Sequence, residues 1–206
     1  MFDYSKKWSS KFQLLVAICS FRGLRISEAL GINILDFKDD SFNRLTYREA
    51  KTNKVQQNRP IIKPLADMIK AYIYTNRHLL KDGYLFPYYS SRRLPHMDTK
   101  TGEAFFSKMR KIIGRDHPGF LDKYEIKTEN GKTMFRYRIC FHSCRRWFEN
   151  HLFGQTNNIN IVKTVMDYAD FEPLNAYLNR FEVIDKEPEI LNKAFADVFQ
   201  SMNKDG

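Results

Sequence analysis

The sequence predicts a mostly α-helical domain that carries a small antiparallel β-sheet. Three observations support that class. Apolar residues recur at helical spacing through most of the chain, first at Trp8, Phe12, Leu15, Val16 and Cys19 and last at Leu191, Ala194, Phe195, Val198, Phe199 and Met202. Only residues 34–62 and 123–139 change to alternation broken by turn-forming residues. With 206 residues, 43% of them hydrophobic and 17 Phe and 11 Tyr among them, the chain has ample material for one packed core.

Charge narrows the choice of partner. Lys and Arg outnumber Asp and Glu by 34 to 24, a formal net charge of +10. That balance favours a polyanion, nucleic acid first and an acidic membrane surface second. No apolar run approaches the ~20 residues of a membrane span, and no signal-peptide pattern is present. Cys19, Cys140 and Cys144 are odd in number, and the last two have no second pair to complete a metal site. They are expected to be reduced, half-buried thiols of a cytosolic protein, with no bound metal and no cofactor.

Taken in order, residues 1–7 are expected to fray and residues 8–20 to form a core helix that Gly23 ends. In the octet Gly23 to Leu30 (GLRISEAL), Ser27 can cap a short helix and leave Arg25 just outside its N-terminus. Asp39-Asp40 could hold a cation, though adjacent acids on a loop ordinarily mark a turn. Leu45 and Tyr47 lie on one strand, and Arg59-Pro60-Ile61-Ile62 closes a second. Between them Ala50 to Asn58 form a turn-rich connection bearing Lys51 and Lys54. Leu65, Met68, Ile69, Tyr72 and Ile73 mark an amphipathic helix. Residues 88–100 read as loop, with Arg92 and Arg93 exposed. The next helix turns Phe105, Met109, Ile112 and Ile113 inward. Its other side offers Lys108, Arg110 and Lys111, as a phosphate-tracking face or a solvated one. A hairpin then runs from Tyr124 and Ile126 through an Asn130-Gly131 turn to Met134 and Ile139, and delivers the chain into His142.

Residues 141–181 hold the densest chemistry. His142 and Arg145 are three apart and share one helix face, and Gly154 is expected to stop that helix. Ile161, Val162, Val165 and Met166 line the next one. Pro173 suits a first helical position, which places Tyr177 about one turn in. Arginine presents a planar fork that matches phosphate oxygens, histidine can donate a hydrogen bond or pass a proton, and tyrosine can attack phosphorus and hold the product covalently. His151 lies nine residues after His142, faces away from it, and is read as structural. Lys186-Glu187-Pro188 is expected to start a last helix.

This conjunction resembles the tyrosine recombinases, the phage-integrase family. The family's second motif is His-x-x-Arg, a His two turns later, a Leu-Leu-Gly-His box and a Tyr nine residues beyond it. It falls without gaps on His142, Arg145, His151, residues 165–168 and Tyr177, with Asp167 and Tyr168 in place of the box's Gly and His. The stretch Gly23 to Glu28 matches the family's first motif, and Tyr84-Leu85-Phe86-Pro87 resembles the short segment that follows the amphipathic helix in the family.

The resemblance implies a set of roles. Tyr177 attacks the scissile phosphate of double-stranded DNA and forms a 3′-phosphotyrosyl bond, without metal or ATP. Arg25 and Arg145 clamp the non-bridging oxygens, Glu28 braces the arginines, and Lys51, with Lys54 as its rival, protonates the leaving 5′-oxygen. His142 assists proton transfer, and Tyr168 is a neutral donor beside the phosphate. Lys54, Arg92, Arg93, Lys108, Arg110, Lys111 and Arg146 are expected on the DNA. The implied fold is that of a tyrosine recombinase catalytic domain over residues 1–182. Residues 183–206 are expected to form an amphipathic helix that docks in trans within a homotetramer on DNA and in cis or loosely in the free fragment, which is expected to be monomeric. Family members usually carry an N-terminal DNA-binding domain, which this chain is expected to lack, either as an excised catalytic portion, the favoured reading, or as a minimal recombinase. The expected setting is cytoplasmic and nucleoid-associated, or a virus or mobile element. Two other readings stay open: type IB topoisomerase-like relaxation, and a non-catalytic DNA-binding module on the same fold.

Overall fold

The computed structural model describes residues 9–88, 95–128, 130–166 and 180–204. Its centre is helix α1 (Ser10–Phe21), in which every residue from Leu14 to Phe21 is buried. The sequence pattern pointed to a one-sided stripe. The apolar run is instead continuous around the helix, so α1 needs cover on all sides. That cover comes from α2 (Ile26–Leu30), α3 (Lys63–Asn76) and α5 (Phe141–Thr156). At the end of α1, Gly23 adopts φ +70°, and a Cβ there would sit 2.8 Å from Phe148 Cδ1 and 3.2 Å from Met166 Sδ. Both the left-handed backbone and the close approach therefore require glycine.

The cap of α2 differs from the expectation. Arg25, not Ser27, is the N-cap residue, and its backbone N–H donates to Glu28 Oε2 at 2.8 Å. A carboxylate at the third helical position reaches back to the cap amide, so the serine hydroxyl is not needed. Ser27 lies within the helix.

The single small sheet is in fact two separate ribbons. Strands β1 (Arg44–Arg48) and β2 (Val55–Pro60) pair antiparallel, with a register shift between Leu45 and Tyr47. The irregularity breaks the period of two, so Gln56 and Arg59, three apart, are both buried. Strands β3 (Lys123–Lys127) and β4 (Thr133–Tyr137) pair in regular register. Between the ribbons lie α3, which buries Leu65, Ala66, Ile69 and Tyr72, and α4 (Thr99–Asp116). Asp98 caps α4 by accepting from the Thr101 N–H at 2.8 Å. Phe105, Met109 and Ile113 are buried as expected, with Ile112 only half-buried. Asp39 is occupied in a local turn with Ser41, as adjacent loop acids usually are.

Helix α5 does not stop at Gly154. It runs on to Thr156 and ends where Asn157 takes φ +48°, a conformation asparagine tolerates. Nothing crowds Gly154, so its backbone has no cause to leave the helix. Helix α6 (Ile159–Met166) buries Val162, Val165 and Met166. Helix α7 (Arg180–Lys204) begins before the expected Lys186-Glu187-Pro188 start and carries Pro188 inside it. Leu191, Ala194 and Phe195 of α7 are buried against α5 and α6 of the same chain, with the Phe195 ring stacked on Phe148 at 5.2 Å. Cys19 and Cys144 are fully buried rather than half-buried, and burial pushes the Cys144 thiol up to about 11. No helix among the described residues is long and apolar enough to cross a membrane.

Candidate active site

One cleft of about 440 Å³ brings together Arg25, Glu103, Arg110, Cys140, His142 and Arg145. Arg25 enters from the N-terminus of α2, and His142 and Arg145 from the first turn of α5. The three-residue spacing on α5 thus aims both side chains at one space.

Each arginine is held in place. Arg25 Nη1 lies 2.8 Å from Glu28 Oε1. The same carboxylate oxygen accepts from the Ala50 N–H at 3.1 Å. Glu28 is thereby tied to Arg25 and to the β1–β2 turn next to Lys51, and it is nearly fully buried itself. Arg145 is 5% exposed; its Nη1 donates to Gly23 O at 2.7 Å and its Nε lies 3.2 Å from Glu149 Oε1. Gly23, the first residue of the octet, therefore positions Arg145 as well as ending α1. Guanidiniums anchored by one edge keep their orientation at little entropic cost when an anion arrives.

His142 keeps solvent contact at the cleft rim. Partial desolvation by the cleft wall, and then the Arg146 cation, pull its imidazole below the usual histidine range, with Glu149 opposing. That shift favours the neutral ring, the form able to accept a proton. Lys51 and Lys54 are exposed on the β1–β2 connection and do not line the cleft. Tyr168, Tyr177, Arg92 and Arg93 lie outside the described residues.

Lys108, Lys111 and Arg146 are exposed, as a solvent-facing basic surface requires. Arg110 is not: it is 7% exposed. Its guanidinium stacks 3.5 Å over the Tyr137 ring, and Nη1 donates to Ile139 O and Nη2 to Ser107 Oγ. It braces the entry to α5 from inside the cleft wall rather than lying on a free face. His151 is structural, its Nε2 2.7 Å from Ala194 O and its ring stacked on Trp147.

Sequence reasoning missed a buried cluster behind the cleft. Arg59 Nη2 donates to Thr164 O (2.9 Å) and Val165 O (3.0 Å) at the end of α6 and pairs with Glu187 Oε2 (3.2 Å) on α7. Arg22 Nη2 lies 3.4 Å from Glu187 Oε1. Arg59 thus binds the chain on both sides of the stretch bearing Tyr168 and Tyr177. No local signal announces such a cluster, because its members are 128 residues apart in the case of Arg59 and Glu187. Among the described residues no group of His, Cys, Asp and Glu is arranged to hold a metal ion.

A search of curated proteins finds no match. The profile of the phage integrase family matches residues 2–182. Among solved structures, the chain is similar to the integrase from mycobacterium phage Brujita, at 13% identity and a TM-score of 0.60, covering 91% of this chain and 52% of that one. It is similar to XerA recombinase at 16% identity and a TM-score of 0.59, covering 95% and 60%. It is also similar to the Tn1549 transposon integrase, solved with a circular intermediate DNA, at 19% identity and a TM-score of 0.57, covering 87% and 58%. At these identities the likeness is one of fold, that of tyrosine recombinase catalytic domains. The chain spans 52% to 60% of the length of these proteins.

Proposed function

Since this chain belongs to the phage integrase family, we propose that it cleaves and rejoins DNA strands through a 3′-phosphotyrosyl intermediate on Tyr177. The observation that carries the reading is the convergence of Arg25, His142 and Arg145 on one cleft, with Glu28 bridging Arg25 to the Lys51 turn. A phosphoryl transfer needs donors aimed at the non-bridging oxygens, a nucleophile in line, and an acid for the leaving oxygen.

In the proposed step the Tyr177 phenol oxygen attacks phosphorus and its proton passes to neutral His142. The bond from phosphorus to the 5′-oxygen breaks, and Lys51 gives that oxygen a proton. Arg25 and Arg145 hold the two non-bridging oxygens throughout. Tyr168 donates one neutral hydrogen bond. Rejoining is the reverse, and the phosphotyrosyl bond conserves the energy of the phosphodiester, so neither ATP nor a metal is called on. Lys54, Lys108, Lys111, Arg146, Arg92 and Arg93 track the flanking phosphates. The active assembly on DNA is a homotetramer in which α7 exchanges between neighbours, and the setting is a virus or mobile element.

The test is covalent trapping of the protein on a pool of nicked duplexes of randomised sequence, in chelator and without nucleotide. A labelled protein–DNA band is expected. Stable binding with no band would leave the non-catalytic module. Relaxation of supercoiled plasmid by monomeric protein would favour the topoisomerase reading.

Arg145→Lys is expected to slow single-turnover cleavage by ~10²–10³-fold, the loss seen for one oxyanion donor, because an ammonium cannot hold Gly23 O and a phosphate oxygen in the same fork. Near-wild-type cleavage would remove Arg145 from its role. The depressed pKa of His142 gives a pH prediction. The free enzyme's histidine limb, read from cleavage at subsaturating DNA, should fall as pH drops through a value below the ordinary ~6.5, and His142→Gln should abolish it. A limb at or above that value would contradict the assignment of His142 as proton acceptor.

A further inference from the structure

The β3–β4 ribbon has no role in the chemistry above, yet it is largely uncovered. Of its ten strand residues, only Ile126 and Tyr137 are less than exposed. Phe135 stands 66% exposed and Met134 43%. A lone two-stranded ribbon is marginal in water, and apolar side chains on both strands add to the cost of leaving it bare. Its base, by contrast, is fixed. The Arg138 N–H donates to Asp122 O at 2.8 Å, the Ser143 hydroxyl donates to Arg138 O at 3.0 Å, and Arg110 holds Ile139 O while stacking on Tyr137. The ribbon therefore leaves the cleft in a set direction, anchored to the helix that bears His142 and Arg145.

Its charge says what it meets. Between residues 123 and 138 lie Lys123, Lys127, Lys132, Arg136 and Arg138, against Glu125 and Glu129. The register puts Lys123, Glu125, Lys127 and Phe135 on one face and Tyr124, Ile126, Met134 and Arg136 on the other. A protein partner packing on one side would favour one apolar face and one polar face. Cations on both faces, interleaved with aromatic and thioether side chains, instead suit a groove walled by phosphates on each side. The B-form major groove is wide enough for such a ribbon.

We propose that the β3–β4 ribbon is a second DNA-binding element, lying in the major groove of the duplex beside the cleft. The proposal rests on the DNA reading given above. Five residues at ~3.3 Å each reach ~17 Å, about five base pairs at the ~3.4 Å phosphate spacing of one strand. Phosphates meet the cations, and Phe135, on the face that carries Lys123 and Lys127, lies against base edges.

The test uses the whole chain and a 30-base-pair duplex of mixed sequence. Combined K127Q, K132Q and R136Q should reduce the slope of log affinity against log salt by ~2.7, at ~0.9 per phosphate contact, and weaken binding at least tenfold at moderate salt. Thermal melting should be unchanged, since all three side chains are exposed. A photo-crosslinking amino acid at position 135 should attach to DNA. An unchanged slope, or crosslinking at position 135 to a second protein chain instead of DNA, overturns the ribbon proposal while leaving the cleft untouched. A wild-type protein whose affinity is flat with salt sinks the DNA reading itself.

Discussion

Tyr177→Phe is expected to abolish the covalent protein–DNA adduct while leaving duplex affinity within about twofold. The substitution removes one oxygen and keeps the ring, so contacts to phosphate and groove persist and only the attacking atom is lost. That separation of chemistry from binding is what a nucleophile predicts. Tyr168→Phe supplies the contrast. If Tyr168 only donates a hydrogen bond to a charged oxygen, its loss costs ~1.5–3 kcal/mol at most, and the adduct still forms, more slowly. Tyr168→His should be tolerated, and Tyr168→Ala should be worse than Phe because packing is lost too. The measurement is single-turnover adduct formation by these variants on nicked duplex. An adduct that survives in Tyr177→Phe and vanishes in Tyr168→Phe would reverse the two assignments.

Glu187→Ala should cost ~3–5 kcal/mol of stability, the effect of stranding buried charge. Arg22 is 1% exposed and Arg59 7%, and Glu187 lies within 3.4 Å of both. Removing the carboxylate takes the Glu187 anion from two buried guanidiniums and detaches α7 from its polar anchor. Glu187→Gln should lose less, because an amide oxygen can still accept from Arg59. Urea unfolding of the two variants beside the wild type measures this. A loss under 1 kcal/mol for Glu187→Ala would mean that α7 is undocked in the free protein, and that Glu187 finds its arginines only when neighbours exchange helices on DNA.

What could be read in the chain follows from which interactions are local. Arg25 and Glu28 are three apart, and so are His142 and Arg145, so helical geometry alone pairs the first two and aligns the second. The two hairpins declared themselves by alternation and by turn residues. Arg110 could not be placed the same way. Its spacing from Phe106 and Ile113 puts it on the inner face of α4, but its charge argues for solvent as at Lys108 and Lys111, and the Tyr137 ring and the Ile139 carbonyl, arriving from later in the chain, hold it inside. The continuous burial of α1 depends on three other helices closing around it. The cap at Arg25 was missed because Ser27 has the higher cap preference, yet Glu28 sits where a carboxylate can reach back. Gly154 looked like a stop, and its freedom from crowding let the helix pass. The Arg22, Arg59 and Glu187 cluster joins the end of α1, a strand and the last helix, a tertiary fact with no periodic trace.

The central claim is that a tyrosine of this chain becomes bonded to the 3′ side of a broken DNA strand, and the direct measurement is the identity of that bond. Wild-type protein is trapped on the nicked pool, digested with protease and nuclease, and the conjugate is sequenced by mass spectrometry. The account predicts one peptide spanning Tyr177 that carries a nucleotide through its 3′-phosphate, with a free 5′-hydroxyl on the released strand. A 5′-linked conjugate, a conjugate on any other residue, or cleaved DNA with no conjugate at all would contradict it.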